Sequence, residues 1–256
     1  MLAAVFLLTA ASAGAAPSAE AAERGKTLAA EVRSQRPARA TSTTGTLRLR
    51  HSDNRRTTIP VEVFVRLDTN SLAWSTWYRA RFPDGRHETL TVNNLIGEPP
   101  QFVLRRVTAD GRAAELRPQR QDQLYTAFAG TDFWIIDLGM AFLHWPDQRY
   151  RGRETRRTRV CHVLESINPD PSPAGYSRVL TWVDDETRGI VRAEAYDASS
   201  RLLKEFSPGS FARSGSRYQL RDMEIRNVQT DSRTTLYFDV EDPREIGGVT
   251  HLPGAE

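Results

Sequence analysis

The sequence predicts an α+β fold: a curled antiparallel sheet of about eleven strands, with helical segments covering its concave face. Three observations support this. Short runs of alternating apolar and polar side chains recur along most of the 256 residues, each separated from the next by a turn signal. Helical spacing is confined to an early segment and a middle one, so the strands follow one another as a meander and do not alternate with crossover helices. The middle stretch, Leu124 to Trp145, is dense in large apolar and aromatic residues and sustains no alternation. So many antiparallel strands accumulate twist and curl, and the aromatic stretch is the element available to cover the hollow side.

Met1 to Ala16 has an apolar core, Leu2 to Ala11, too short to span a bilayer, and Ala13 and Ala15 form an A-x-A-like cleavage site. Residues 1–15 therefore read as a secretory signal peptide cleaved near Ala15. Residues 16–41 hold a helix over Ala19 to Gln35, with Ala22, Leu28, Ala29 and Val32 near helical spacing, and a linker after Pro37. Residues 42–241 form the main domain, and 242–256 a tail without periodicity.

Five strands are expected before Asp110. Leu47 and Leu49 mark the first, Ile59 to Leu67 the second, and Trp74 to Phe82 the third. Pro83, Asp84, Gly85 and Arg86 make a hairpin turn. Leu90 and Val92 follow, then Phe102 to Val107. Ala109 to Gln123 is polar and reads as a loop. In the aromatic stretch Asp132 and Asp137 are candidate helix caps, and Pro146 ends the run. Arg149 to Arg159 reads as a basic connector. Val160 to Phe206 then carries four alternating runs with turn signals at Asp184 to Gly189 and Asp197 to Ser200. Tyr218 to Val228 and Thr234 to Val240 complete the count.

With 39% hydrophobic and 26% charged residues, the composition is that of an ordinary soluble globular protein. Lys26 and Lys204 are the only lysines, and a net charge of +3 is too small to imply a polyanion partner. A single cysteine, Cys161, excludes an internal disulfide framework and a multi-cysteine metal site. No G-x-S-x-G, H-E-x-x-H, G-x-G-x-x-G or P-loop motif occurs, and His51, His87, His144, His162 and His251 lack metal-ligand spacing. Cys161 and His162 are adjacent, but neighbours on a strand face opposite ways, so the imidazole cannot activate the thiol. Asp184 and Asp185 fit a turn better than a carboxylate pair. Neither a catalytic group, a metal nor a cofactor is expected. The arginines of residues 149–159 admit a nucleic-acid, lipid-headgroup or purely solvated role. The aromatic cluster of Trp134, Phe142 and Trp145 admits either a solid core or the wall of a cavity.

Three stretches resemble the periplasmic lipoprotein-carrier superfamily, in particular its outer-membrane lipoprotein-sorting branch. They are Gly130-Thr131-Asp132-Phe133 with Asp137-Leu138, Tyr176-Ser177-Arg178-Val179 leading to Trp182-Val183-Asp184, and Tyr196-Asp197 with Leu202 and Lys204. Ile136 stands where that branch is usually polar, and Ser200 where a turn glycine is common. Arg48, Arg50, Arg66 and Arg79 are all candidates for the carrier's functional arginine. The resemblance implies an incomplete β-barrel, a helical lid and a hydrophobic cavity that takes acyl chains. On that footing the expected function is a non-enzymatic periplasmic carrier or receptor for a lipoprotein or lipid. The alternative is an interaction module of the same fold that binds an envelope or transporter partner.

The expected cavity wall is Val63, Val65, Trp74, Tyr78, Phe82, Phe102 and Leu104, and the expected lid Phe133, Trp134, Ile136, Phe142 and Leu143. The expected partners are acyl chains, an inner-membrane transporter or outer-membrane acceptor, and transiently a membrane, but no nucleic acid.

Overall fold

A computed structural model describes residues 18–214, 217–239 and 244–245. The signal-peptide expectation lies outside them. Helix α1, Ala19–Arg33, starts where Ser18 Oγ accepts the Ala21 amide, a side-chain N-cap. Five strands follow: β1 Thr41–Arg50, β2 Arg56–Leu67, β3 Ala73–Arg81, β4 His87–Leu95 and β5 Gln101–Val107. Next come β6 Ala113–Leu116, a 3₁₀ turn at Gln121–Tyr125, the short helix α2 Ile135–Gly139 and a second 3₁₀ turn at Ala141–His144. The remaining strands are β7 Asp147–Arg156, β8 Arg159–Ile167, β9 Arg178–Asp184, β10 Ile190–Tyr196, β11 Leu202–Pro208, β12 Phe211–Ser214, β13 Arg217–Leu220, β14 Asp222–Asn227, β15 Ser232–Phe238 and β16 Arg244–Glu245.

Thirteen strands form one antiparallel path, β6-β5-β4-β3-β2-β1-β15-β14-β11-β10-β9-β8-β7, with β16 added beside β1 and β12-β13 apart as a hairpin. The path does not close on itself, so the sheet is a curled half-barrel with β6 and β7 at its ends. The sixteen strands among the described residues exceed the expected eleven. The largest departure from expectation is at residues 149–159: most of this stretch is the edge strand β7, not a connector. Its alternation is hidden because both faces are polar and a register shift at Tyr150/Gly152 interrupts the period. Its arginines sit beside carboxylates: Arg151 by Glu165, Arg153 by Asp185, Arg156 by Glu154. The expected loop 109–123 contains β6 and the first 3₁₀ turn, and the run 218–228 divides into β13 and β14.

The register fixes which side chains share the concave face. Val63 opposes Tyr78, Tyr78 opposes Leu90, and Leu90 opposes Leu104. Across the middle, Leu47 lies between Ile59 and Leu236. On the far side Ala195 opposes Val179 and Lys204. The apolar residues among these, the apolar face of α1 and the mid-chain segment make one continuous core. A small second cluster, Cys161, Val163 and Trp182, lies on the opposite face of the sheet. Helix α1 rests on β7 so closely that a Cβ at Gly25 would lie 2.5 Å from the Gln148 carbonyl oxygen. Arg24 stacks 4.0 Å over the Tyr150 ring beside this contact.

Candidate functional site

Residues 124–145 cross the concave face as a cover. The cover begins as a tight turn. Phe128 N donates to Phe133 O, Thr131 N to Phe128 O, and Ala129 and Gly130 both take positive φ, 52° and 67°. Nothing lies within 4 Å of a Cβ built at Gly130, so the left-handed backbone and not crowding favours glycine in this motif. Glu88, buried on β4, accepts the Ala129 amide at 2.6 Å and so pins the turn to the sheet.

Asp132 does not cap α2. Its carboxylate accepts from Ser232 Oγ at 2.5 Å and Thr234 Oγ1 at 2.8 Å, both on β15, and its own amide donates to Thr234 Oγ1. The N-cap is Trp134, whose amide donates to Asp137 Oδ2 at 2.8 Å. The cover's later half is held by Arg33, which donates to Leu143 O, and by Gln148, which donates to Phe142 O and Trp145 O.

A cavity of about 160 Å³ remains between cover and sheet. It sits over β9, β10, β11 and β14, where Ala193, Ala195 and Ile225 form its floor, and Phe133, Leu138 and Phe142 its roof. The two alanines create it: small residues at adjacent concave positions leave space the cover does not fill. Exposed Met140, in the left-handed region at φ 50°, lines it and marks its mouth.

One wall is polar. Lys204 on β11, only 1% exposed, donates from Nζ to Asp132 O at 2.6 Å and to Asp137 Oδ2 at 3.3 Å. Its ammonium also lies 3.2 Å from the centroid of the Trp134 ring. Tyr176 stacks on Trp134 at 5.1 Å and donates its hydroxyl to Asp137 Oδ1 at 2.7 Å. Burial pushes the Lys204 ammonium down to about 8, partly opposed by Asp137 and Asp132. Burial and the Asp137 carboxylate hold Tyr176 well above the ordinary phenol range. Desolvation alone lifts Tyr78 to about 12.

Of the twelve expected site residues, Tyr78, Phe133 and Phe142 line this cavity. Trp134 forms the aromatic plate over Lys204. Val63, Leu104, Ile136 and Leu143 are buried in the packed core beside it, with Phe82 partly buried against it. Val65 and Trp74 are partly exposed near one end of the concave face. Phe102 is buried and edges a separate open groove of about 600 Å³, which also carries Arg117, Arg120 and His144. Lys204 was missed as a site residue. Its rarity is the one sequence signal: it is one of two lysines in an arginine-rich chain.

Cys161 and His162 face opposite sides of β8, as expected. His162 Nε2 lies 2.6 Å from Asp185 and its Nδ1 3.1 Å from the Tyr150 hydroxyl, while Cys161 packs with Val163 and Trp182. Asp184 closes its turn by accepting from Thr187 N and Oγ1. Among the described residues no group of three or more His, Cys, Asp or Glu could hold a metal ion.

A family model described as "Uncharacterized protein" matches residues 114–244, just over half of the chain. The chain belongs to that family. The matched region runs from β6 through the cover to β16 and so includes the whole Lys204 cluster. No curated protein matches the sequence. Among solved structures, a DUF1329 family protein from Desulfovibrio piger aligns with a TM-score of 0.72 at 15% identity, over 90% of this chain and 95% of that one. A domain from Vibrio parahaemolyticus, described as an outer membrane lipoprotein-sorting protein domain, gives 0.72 at 19% over 89% and 94%. A LolA superfamily protein from Nitrosomonas europaea gives 0.59 at 16% over 90% and 95%. At these identities the likeness is one of fold. The half-barrel of this chain is similar to theirs.

Proposed function

We propose that this chain is a non-enzymatic periplasmic carrier or receptor, and that its ligand is an acyl chain held between the concave face and the cover. The observation that carries this reading is the apolar cavity beneath residues 133–142. The lipoprotein-sorting description of a protein with the same fold supports it. A cavity of this size takes a benzene-sized group, so a long chain must displace part of the cover. Lifting it widens the site along the concave face toward Val63, Val65, Trp74, Phe82, Phe102 and Leu104.

The energies balance. Burying acyl methylenes gains about 0.8 kcal/mol each, or roughly 12 kcal/mol for fifteen of them. Re-exposing three large cover side chains, Phe133, Ile136 and Phe142, costs about 4.5–9 kcal/mol, at about 1.5–3 kcal/mol apiece. Long chains therefore open the site and chains of fewer than about eight carbons do not.

The test is uptake of a fluorescent long-chain fatty acid by the purified protein, with mass spectrometry of co-purifying lipid. Ala195→Leu fills the floor with an apolar side chain; it should fold with unchanged or raised stability and lose at least about tenfold in affinity. Undiminished binding by a folded Ala195→Leu protein removes the site from this cavity. An alternative is an interaction module with a filled interior, favoured by the tight polar anchoring of the cover; absence of both bound lipid and uptake selects it.

A further inference from the structure

The Lys204 cluster divides into two chemically opposite halves, and this bears on what the cavity takes; the inference rests on the acyl-binding reading above. The sheet half supplies donors: Lys204 Nζ on β11, Ser232 Oγ and Thr234 Oγ1 on β15, and the Tyr176 hydroxyl just before β9. The cover half supplies the acceptors, and they come from two residues. Asp132 gives its carboxylate and main-chain carbonyl, and Asp137 its carboxylate. The Asp132 amide, donating to Thr234 Oγ1, is the exception. The strand donors are neighbours in the lattice: Lys204 opposes Asn227, Asn227 opposes Ser232, and Thr234 lies two residues along from Ser232.

When the cover lifts, both carboxylates leave with it. The sheet keeps a lysine that is 1% exposed in the closed state and a set of hydroxyl donors, at the edge of an apolar hollow. A buried charge stripped of its partner is strongly unfavourable, and a charge-assisted hydrogen bond from an incoming oxyanion removes that penalty. A neutral ester carbonyl accepts such a bond, as Asp132 O does, but supplies no countercharge. We propose that the ligand is an acyl chain with an oxyanion at its head, a carboxylate or a phosphate, which takes the places of Asp132 and Asp137 on Lys204 and its neighbouring hydroxyls.

The experiment measures affinity of the purified chain at pH 7 for palmitate, methyl palmitate, 1-palmitoyl-lysophosphatidate and monopalmitoylglycerol, with acetate and inorganic phosphate as chainless competitors. The expected result is at least about a tenfold preference for the charged member of one or both pairs, the size of a charged hydrogen bond made or lost. Which pair shows it identifies carboxylate or phosphate. Lys204→Met should reduce the preference to less than about threefold, read as the ratio of charged to neutral ligand within the variant itself. The acid-against-ester comparison uses the wild-type chain, so it stands even where Lys204→Met does not fold. Equal affinity within both pairs overturns the inference and leaves the acyl site standing. A preference undiminished in folded Lys204→Met overturns the role of Lys204. Competition by acetate or phosphate as strong as that by the lipids overturns the amphiphile. Binding of none of the four lipids overturns the acyl-site reading, and this inference with it.

Discussion

Asp137→Ala removes the carboxylate that receives Lys204 Nζ, the Tyr176 hydroxyl and the Trp134 amide. Its cost can be worked from the structure. Holding Lys204 charged at about 8 instead of 10.5 already opposes folding by roughly 3 kcal/mol. Without Asp137 the ammonium is less favoured still, but at pH 7 the loss is capped by deprotonation at roughly 5 kcal/mol, so the charge contributes at most about 1–2 kcal/mol more. The orphaned Tyr176 hydroxyl adds about 1–2 kcal/mol and the half-buried Trp134 amide about 0.5–1. The total is about 3–4 kcal/mol, in line with other buried pairs broken on one side. Lys204→Met removes a group whose charge opposes folding, so in its background Asp137→Ala should cost only the tyrosine and tryptophan share, about 1.5–3 kcal/mol. Urea unfolding of the four proteins of this cycle, followed by circular dichroism at pH 7, measures the coupling, expected at about 1–2 kcal/mol. A loss below about 1 kcal/mol for Asp137→Ala, or a coupling within about 0.5 kcal/mol of zero, refutes the account of a charged, desolvated pair.

Because the folded-state value for Lys204 lies below the unfolded one, the unfolded chain binds more protons between pH 8 and 10.5, and stability must rise with pH in that window. Measured against Lys204→Met, which cancels the opposing effect of the raised tyrosines above pH 10, the wild type should gain about 2–3 kcal/mol between pH 7 and 10; a flat difference contradicts the assignment. Gly25→Ala puts a methyl against the Gln148 and Arg149 backbone and should cost about 1–3 kcal/mol, with faster amide exchange along β7; unchanged melting and exchange would show that α1 does not press on that strand. In the acyl-binding assay, a series from C8 to C16 should show affinity appearing only beyond roughly eight to ten carbons, and equal affinity at C8 and C16 would exclude displacement of a packed cover.

Much of the sheet was legible because its inner face is apolar and its outer face is not. Ile59, Val61, Val63 and Val65 announce β2, and the Asp197 to Ser200 turn announces the β10-β11 hairpin. Ser200 takes φ 59°, a left-handed backbone that glycine adopts without strain. The alternation rule fails where both faces carry charge, as in β7, and where a strand is only four residues long, as in β6 and β12. The cover was recognisable from its aromatics, but its mode of attachment was not. Asp132 and Asp137 read equally well as helix caps, because local sequence offers no sign that Ser232 and Thr234, about a hundred residues on, will meet Asp132. The expected wall residues crowd onto β2 to β5, where the large apolar side chains are. The cavity lies on the other side, over Ala193 and Ala195. Hollows form where side chains are small, so a search for bulky residues finds the filled part of a core.

The same logic explains why Lys204 escaped notice and why it matters. A lysine in an alternating strand normally points to water, and the pattern around Leu202, Leu203 and Phe206 gives no reason to turn it inward. Its burial costs free energy that an apolar residue would spare. The cost is partly offset only while residues 132–137 are in place, so the ion pair ties the closed cover to one register on the sheet. A wholly apolar contact would let the cover slide or reseat. On the acyl-binding proposal, an apolar hollow beside an exchangeable ion pair is a closed state with a defined way of opening, and the charge left on the sheet side would set which kind of head group holds it open.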